Sequence, residues 1–320
     1  MKIIRVYEYG EPEVMKLEHM GPPEPLVGQV RLRVEAIGVN FIDIYQRSGQ
    51  YRPELPFTPG QEAAGVVDML GEGVSSFAVG DRAAYAFVLG AYAEYVIVPA
   101  EKLVPVPPDV PSSTAAALML QGMTAHYLVT DTFAVQRDQT ILVHAAAGAT
   151  GLLIVQLAKL RGARVIGTVS SEAKMEVVRA AGADEVFLYD NFDTEARRLT
   201  NGHGVDVVYD SVGKDTFERS LNALRPRGYM VLFGQSSGAV SPIDPQILNA
   251  RGSLFLTRPS LGHYTRTRDE IMQRADAIFS LAGSGSLNVR IDRTLPLEAA
   301  GEAHTALVNR ATTGKLILTP

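Results

Sequence analysis

Glycine spacing marks the segment Ala145-Ala-Ala-Gly-Ala-Thr-Gly151 as a place where a negatively charged ligand could bind. The segment follows an apolar run and opens a helical pattern, which is the context in which G-x-G-x-x-G binds a dinucleotide. Ala146 stands in place of the first glycine, Gly148 would let the backbone approach a pyrophosphate, and Gly151 would let the helix pack close to the strand. Free N–H groups at the helix start would bind the anion. We predict a dinucleotide phosphate site; the alternative is a tight turn without a ligand.

The end of the next strand, Thr168-Val-Ser-Ser171, indicates which nucleotide is preferred. NAD sites usually carry an acidic residue there, which binds the ribose hydroxyls and would repel a 2′-phosphate. This chain has none; it offers Ser170 as a neutral donor and Lys174, about one helical turn further on, as a positive charge. Tyr189 at the end of the third strand is placed to lie beside the adenosine ribose. We predict NADPH, although an exposed helix lysine is the plain alternative for Lys174.

Metal chemistry is disfavoured by the composition. The chain has no cysteine, and its six histidines are scattered. Zinc needs three or four nitrogen, sulfur or oxygen ligands in tight geometry, so we expect neither catalytic nor structural zinc. Alcohol oxidation is then disfavoured, because no Lewis acid stabilises the alkoxide. His144, at a strand end, is predicted to be a structural hydrogen-bonding residue.

Two regions of different pattern are expected to position these residues, since 320 residues suffice for two domains. Up to about residue 108 short β-like runs alternate with turn residues, and a helix is predicted over 112–129. From residue 140 six strands alternate with helices, which indicates a doubly wound parallel sheet. The remaining predicted elements are a helix over 268–281 and a strand–helix–strand tail that could return to the first domain. The predicted strands are 30–36, 63–69, 82–87, 95–99, 141–145, 164–169, 185–189, 205–209, 229–234, 253–257, 288–295 and 315–318, and the other helices are 151–161, 172–181, 193–200, 214–224 and 297–309.

Charge and hydropathy exclude several classes of protein. The net charge of −5 argues against general nucleic-acid binding. The N-terminal residues contain no apolar core typical of a signal peptide, and no apolar stretch reaches 18 residues. We expect a cytoplasmic protein without a membrane span.

Several motifs resemble those of one enzyme superfamily. Gly60-Gln-Glu62 and Val79-Gly-Asp-Arg82 resemble the medium-chain dehydrogenase/reductase superfamily, whose zinc alcohol dehydrogenases carry Gly-His-Glu at the first of these positions. Seven further segments together resemble the zinc-independent, zeta-crystallin-like branch of bacterial NADPH:quinone oxidoreductases. These segments are 38–45, 121–125, 144–148, 209–213, 233–238, 257–260 and 310–312.

The resemblance implies an α/β fold with a β-rich GroES-like domain, a Rossmann domain and a cofactor cleft between them. The expected limits are 1–122 for the GroES-like substrate domain, 123–265 for the NADPH-binding domain and 266–320 for a return to the first domain. It also implies NADPH-dependent reduction of quinones and a homodimer. The apolar edge strand from Ser253 to Thr257 is the predicted dimer seam; cover by the helix over 268–281 or by the tail is the alternative.

Site residues follow from the same resemblance. Asn40 and Tyr45 are expected to line the nicotinamide and quinone pocket, with Tyr51 and Thr124 as further substrate contacts and no obligatory general acid. A domain-core tyrosine is the alternative for Tyr45, and a surface arginine is the alternative for Arg310. The predicted cofactor contacts are Asn40, Thr124, Ala146, Gly148, Ala149, Thr150, Gly151, Ser170, Lys174, Tyr189, Ser211, Phe233, Gly234, Ser236 and Arg310.

Other activities remain open from the sequence. A zinc-independent reductase of α,β-unsaturated ketones or aldehydes would share the cofactor site and differ only in the pocket. A variant of this reductase that acts on acyl-CoA substrates would need basic residues to bind the CoA phosphates, and Arg47, Arg52 and Arg258 are candidates. A non-enzymatic crystallin-like or RNA-binding role with retained NADPH binding is the third possibility.

Overall fold

Two units make up the chain in the computed structural model, which describes residues 1–320. Unit 1 contains residues 1–123 and 264–320, and unit 2 contains residues 124–263. Helix α2, Ser112–Tyr127, begins in unit 1 and ends in unit 2. Unit 2 is therefore inserted in the chain between the two parts of unit 1.

Unit 1 is built on a seven-stranded sheet. Its strand order is β14-β15-β3-β4-β5-β7, with β6 paired to β3, and a separate antiparallel pair is formed by β1 and β2. The C-terminal strand lies next to β3, with Leu318 opposite Ile37, so the tail completes this sheet. The sequence did not predict β1, β2 or β7. The strands are β1 Lys2–Val6, β2 Met15–His19, β3 Gln29–Gly38, β4 Glu62–Leu70, β5 Arg82–Ala86, β6 Tyr95–Pro99, β7 Val104–Pro105, β14 Ile291–Pro296 and β15 Lys315–Thr319.

Three further helices belong to unit 1: α1 Phe41–Arg47, α8 Arg268–Gly283 and α9 Ala300–Val308. Helix α8 begins with a capping box, because the Thr267 hydroxyl accepts the Glu270 N–H at 3.2 Å and the Glu270 carboxylate accepts the Thr267 N–H at 3.1 Å. Helix α1 was not predicted. Its seven residues are too few for a clear 3.6-residue periodicity.

Unit 2 is a six-stranded parallel sheet in the order β10-β9-β8-β11-β12-β13. Numbered within the unit, this order is 3-2-1-4-5-6, so the prediction of a doubly wound sheet is confirmed. Short β13 is an edge strand. The strands are β8 Thr140–Val143, β9 Arg164–Val169, β10 Glu185–Leu188, β11 Val205–Asp210, β12 Leu224–Leu232 and β13 Phe255–Thr257, and the helices are α3 Ala149–Leu160, α4 Met175–Ala180, α5 Phe192–Leu199, α6 Phe217–Ala223 and α7 Gln246–Ala250.

Several predicted boundaries were wrong for local reasons. The strand predicted over 253–257 begins only at Phe255, because Ser253 is left-handed with φ +56°. The strand predicted over 141–145 ends at Val143, before Ala145 at φ +47°. The helix predicted over 172–181 opens as a 3₁₀ turn over Glu172–Lys174, and α2 gives way to a π-helical turn after Tyr127. No helix is both long and apolar enough to span a bilayer.

Candidate functional site

The segment between β8 and α3 forms a tight loop ahead of a helix N-terminus. Ala145 is left-handed, and the Gly148 N–H donates to its carbonyl at 2.8 Å. Gly148 is the N-cap residue of α3, with extended backbone angles. A Cβ at Gly151 would collide with the Ala145 carbonyl and lie 2.8 Å from the Ala146 Cα, so only glycine lets the helix start this close to the strand. The unpaired N–H groups of the first turn therefore lie directly beyond the end of β8, where an anion can bind.

His144 lies directly before this loop and is buried in the core of unit 2. Its imidazole is fully buried, with Nδ1 2.7 Å from the Thr168 hydroxyl and Nε2 2.8 Å from the Ser220 hydroxyl. Burial lowers the pKa of His144, so the ring is neutral. The Tyr189 ring stacks beside the imidazole at 5.8 Å, and its hydroxyl accepts the Ala145 N–H at 2.9 Å. The prediction that His144 is a structural hydrogen-bonding residue is confirmed.

Asp210 organises the next loop along the sheet. The carboxylate lies at the end of β11 and is fully buried. Its Oδ1 accepts the N–H groups of Val212 and Gly213 at 2.7 and 2.9 Å, and its Oδ2 accepts the Thr216 hydroxyl at 2.7 Å. Sequence reasoning used this segment only for the family resemblance and assigned Asp210 no role. An acid directly after an apolar strand was the available signal.

The loops after β11 and β12 pack backbone against backbone. The Ser236 N–H donates to the Ser211 carbonyl at 3.1 Å, and a Cβ at Gly234 would lie 2.6 Å from the same oxygen. Glycine at 234 is therefore required for this close approach.

The structure brings the predicted cofactor residues of unit 2 to one edge of the sheet, apart from Thr124, which is buried in α2. The carboxyl ends of parallel strands meet at that edge, where ligands of doubly wound sheets bind. Ser170 is exposed there and Lys174 is half-buried in the 3₁₀ turn. In strand order the residues are Tyr189 after β10, Ser170 and Lys174 after β9, Ala146, Gly148, Ala149, Thr150 and Gly151 after β8, Ser211 after β11, and Phe233, Gly234 and Ser236 after β12.

Asn40 of unit 1 is buried, and its side chain makes four hydrogen bonds within the protein. Its Oδ1 accepts Lys315 Nζ at 2.9 Å and Gln121 Nε2 at 3.0 Å. Its Nδ2 donates to Glu62 Oε1 at 2.8 Å and to the Gly38 carbonyl at 3.2 Å. These bonds use both lone pairs and both protons of the amide. The role of Asn40 as a cofactor or substrate contact stays a prediction, and it requires one of these bonds to be exchanged.

Glu62 and Lys315 form a fully buried ion pair beside Asn40. The second carboxylate oxygen of Glu62 accepts the Leu120 N–H of α2 at 2.6 Å. Burial lowers the pKa of Lys315, and the Glu62 charge opposes that shift. Sequence reasoning missed the pair, whose members are 253 residues apart. The available signal was a charged residue at the first position of each of two mainly apolar strands.

Tyr45 lies between two other aromatic rings on and after α1. Its ring centroid is 6.1 Å from that of Phe41 and 5.4 Å from that of Tyr51, which meets it edge-on. The Tyr51 N–H donates to the Tyr45 carbonyl at 2.9 Å, so the turn after α1 holds the two rings together. Tyr51 is substantially exposed. These rings form an aromatic wall of the kind that accepts a flat ring. Arg310 is exposed and left-handed after α9.

Helix α1 is anchored by a buried polar chain. Asp43 Oδ2 accepts the Asn40 N–H at 2.9 Å and the Tyr92 hydroxyl at 3.1 Å, and the Tyr92 oxygen lies 2.9 Å from His304 Nε2. Burial raises the pKa of Asp43 to about 7 and lowers the pKa of His304 to about 3. Asp43 therefore has a far higher proton affinity than a solvent-exposed aspartate, and His304 is neutral.

Comparisons with known proteins cover the whole chain. A model described as an alcohol dehydrogenase GroES-like domain matches residues 27–108, and one described as a zinc-binding dehydrogenase matches residues 149–283. A quinone oxidoreductase of Pseudomonas aeruginosa is 45% identical, covering 100% of this chain and 99% of its own. A 2-haloacrylate reductase of a Burkholderia species is 43% identical, covering 98% of both. The structure of Escherichia coli quinone oxidoreductase complexed with NADPH is 42% identical, with TM-score 0.98 and 100% of both chains covered.

A GroES-like unit combined with a doubly wound sheet and a glycine-rich phosphate loop defines a two-domain dehydrogenase/reductase. The full-length identities narrow this class further. The chain belongs to the quinone oxidoreductase branch of the medium-chain dehydrogenase/reductase superfamily, which confirms the resemblance seen in the sequence.

The residues present do not fit the zinc ion that the name of the zinc-binding dehydrogenase family implies. Gln61 stands where the zinc enzymes of the superfamily carry histidine, and the Glu62 oxygens already accept bonds from Lys315, Asn40 and the Leu120 N–H. No group of three or more His, Cys, Asp or Glu side chains is arranged to hold a metal ion. The expected absence of zinc stays a prediction.

Proposed function

We propose that this chain reduces quinones with NADPH as the electron donor and without zinc. The observation that carries the proposal is the sheet edge of unit 2, where the α3 N-terminus, Ser170 and Lys174 lie together with no carboxylate at the end of β9. NADPH supplies the reducing equivalents when bound. The relatives named as quinone oxidoreductases support the choice of acceptor. A cytoplasmic location and the absence of a nucleic-acid partner are part of the same proposal and rest on composition.

The aromatic wall of Phe41, Tyr45 and Tyr51 is the proposed acceptor surface. A quinone is a flat ring and a strong electron acceptor, so stacking and orientation are the main requirements on the protein. Tyr45 adds a hydroxyl that can bond a quinone oxygen. The position of the acceptor beside the nicotinamide, in the cleft that the sequence predicts, belongs to this proposal.

The proposed acceptor is tested with two substrate panels. NADPH oxidation is measured with quinones and with α,β-unsaturated ketones, aldehydes and 2-haloacrylate. The double-bond reductase is the second candidate, because a 2-haloacrylate reductase is 43% identical over nearly the whole chain. We expect higher kcat/KM for quinones. Turnover of the unsaturated compounds alone would overturn quinone reduction in favour of the second candidate.

Lys174 is predicted to discriminate between the two nicotinamide dinucleotides. Lys174→Ala is expected to weaken NADPH binding about 10-fold or more, because a charge-assisted bond to the 2′-phosphate is lost, and to leave NADH binding unchanged. Binding is followed by quenching of the intrinsic fluorescence of the tyrosines, since the chain contains no tryptophan. Lys159→Ala, which removes the lysine of the half-exposed ion pair with Asp184, is the control and is expected to change neither affinity. An equal loss for both cofactors would show that Lys174 does not bind the 2′-phosphate.

We further propose a homodimer through edge strand β13. Phe255 is 50% exposed, and its ring stacks 4.5 Å from that of Tyr229 on the neighbouring strand. Antiparallel pairing of β13 with its copy would cover this ring and the free edge. Phe255→Lys is expected to sediment as a monomer while wild type sediments as a dimer. Val308→Lys, at a side chain of matched exposure (53%), is the control that should remain dimeric. A dimeric Phe255→Lys variant would place the interface elsewhere.

A further inference from the structure

The Asn40 amide can in principle adopt two orientations that exchange its oxygen and its NH2 group. Its neighbours distinguish between them. The Glu62 carboxylate can only accept a hydrogen bond, whereas the Lys315 ammonium can only donate. The amide accordingly presents Nδ2 to Glu62 and Oδ1 to Lys315. Gln121, itself an amide, could match either orientation by turning its own side chain. The ion pair and the Gly38 carbonyl, which also accepts from Nδ2, therefore set the orientation together.

We propose that Lys315 is a positioning residue which, together with Glu62, locks the Asn40 amide in one orientation and so shapes the nicotinamide and acceptor pocket. The final step of this inference rests on the proposed function, since it needs Asn40 to lie at that pocket. The lock itself rests only on contacts within unit 1.

Stability alone does not account for a buried lysine at this position. A buried ion pair is costly to desolvate, and apolar residues of similar volume often stabilise a core as well or better. Strand β15 is already held in the sheet by its backbone pairing with β14 and β3. The chain is also shaped around the pair, because any Cβ at Gly38 would collide with the Glu62 carboxylate. These features indicate that the ion pair has a role beyond stabilising the fold.

The deciding variant is Lys315→Met combined with Glu62→Gln, which removes both charges at once. The new glutamine must turn its oxygen to the Leu120 N–H, so its NH2 group faces Asn40 and favours the flipped amide, while only the Gly38 carbonyl still favours the original one. We expect kcat for the quinone to fall about 10-fold through misorientation while the NADPH Kd changes less than about 3-fold. The Asn40 side-chain NH2 resonance, assigned by its loss in Asn40→Ser, is expected to shift.

Two further variants test whether the effect on kcat and on the NH2 resonance comes from loss of the Lys315 charge or from loss of its hydrogen-bond donor. Lys315→Gln keeps an NH2 group that can donate to both Glu62 and Asn40, so it is expected to retain the NH2 resonance and most of kcat. Lys159→Met with Asp184→Asn removes an ordinary, half-exposed ion pair of unit 2 and should change neither readout. A folded Lys315→Met/Glu62→Gln variant with unchanged resonance and kcat would overturn the proposal.

A measurement on the wild type keeps the proposal falsifiable if the double variant does not fold. Both NH2 protons of Asn40 should exchange with D2O much more slowly than those of exposed Asn309, because both donate inside the protein. Exchange as fast as that of Asn309 would overturn the lock. If the wild type binds NADPH but reduces neither quinones nor unsaturated compounds, the proposed function fails, and the resonance and exchange data still decide the role of Lys315.

Discussion

Gly151→Ala is expected to weaken NADPH binding at least 100-fold, about 2.7 kcal/mol. The added methyl group would meet main-chain atoms, the Ala145 carbonyl and the Ala146 Cα, so no side chain can move to make room. Helix α3 must shift away from β8, and the N–H groups that bind the phosphates shift with it. Overpacking of this kind typically costs about 1–3 kcal/mol in folding stability as well. Tyrosine fluorescence titration and thermal unfolding measure the two effects.

Gly148→Ala is the matched control in the same loop. A Cβ there would lie 3.1 Å from the Ala145 carbonyl, which a small adjustment accommodates. We expect nearly unchanged stability and a smaller loss of NADPH affinity, about 10-fold, because the methyl group keeps the pyrophosphate from the backbone. Gly21→Ala, where a Cβ meets nothing within 4 Å, should change neither. Wild-type NADPH affinity in Gly151→Ala would contradict the role of this glycine.

Asp43 and His304 are expected to give stability two opposed pH dependences. Asp43 has its pKa raised from 3.8 to about 7, so the folded protein keeps a proton that the unfolded chain releases, and stability falls as pH rises from about 4 to 7. His304 has its pKa lowered from 6.5 to about 3, so the unfolded chain binds a proton that the folded protein does not, and stability is lost as pH falls from about 6.5 to 3. Between about pH 4 and 6.5 the two slopes cancel.

Single variants should separate the two slopes. Asp43→Asn is expected to gain stability relative to wild type as pH rises from 4 to 7, by about 1.4 kcal/mol for each unit of the Asp43 pKa shift. His304→Gln is expected to gain relative to wild type as pH falls from 6.5 to 4. Urea unfolding at several pH values measures both. If both variants run parallel to wild type, neither group has the shifted pKa assigned to it.

The parallel sheet was predictable because its signal is local. Strands buried on both faces show as mainly apolar runs such as 207–209 and 165–169, and the glycine-rich loop follows the first of the six strands. The sequence therefore predicts that the residues following these strands, including the glycine-rich loop, lie at one edge of the sheet. Boundaries failed where single residues such as Ser253 adopt left-handed backbone angles, which composition does not reveal.

The buried polar contacts of unit 1 could not be predicted from local sequence patterns. Lys315 contacts Asn40 although the two are 275 residues apart in the sequence, and His304 contacts Tyr92 at a separation of 212 residues. No periodicity connects such positions, and each residue alone resembles an ordinary surface side chain. The sequence predicts Asn40 as a ligand contact, which stays a prediction, but it does not predict the partners of Asn40 within unit 1, because these lie on separate strands and on α2.

The insertion of unit 2 within unit 1 has a consequence for biosynthesis. The ribosome makes all of unit 2 before it makes β15, so the sheet of unit 2 can form while β3 is not yet paired with β15 and Glu62 still lacks its cation. A nascent chain that stalls between unit 2 and β15 therefore has all six strands of unit 2 but lacks the cation that pairs with Glu62. Such a chain cannot form the lock on Asn40, because Lys315 is one of the groups that fix the orientation of the amide.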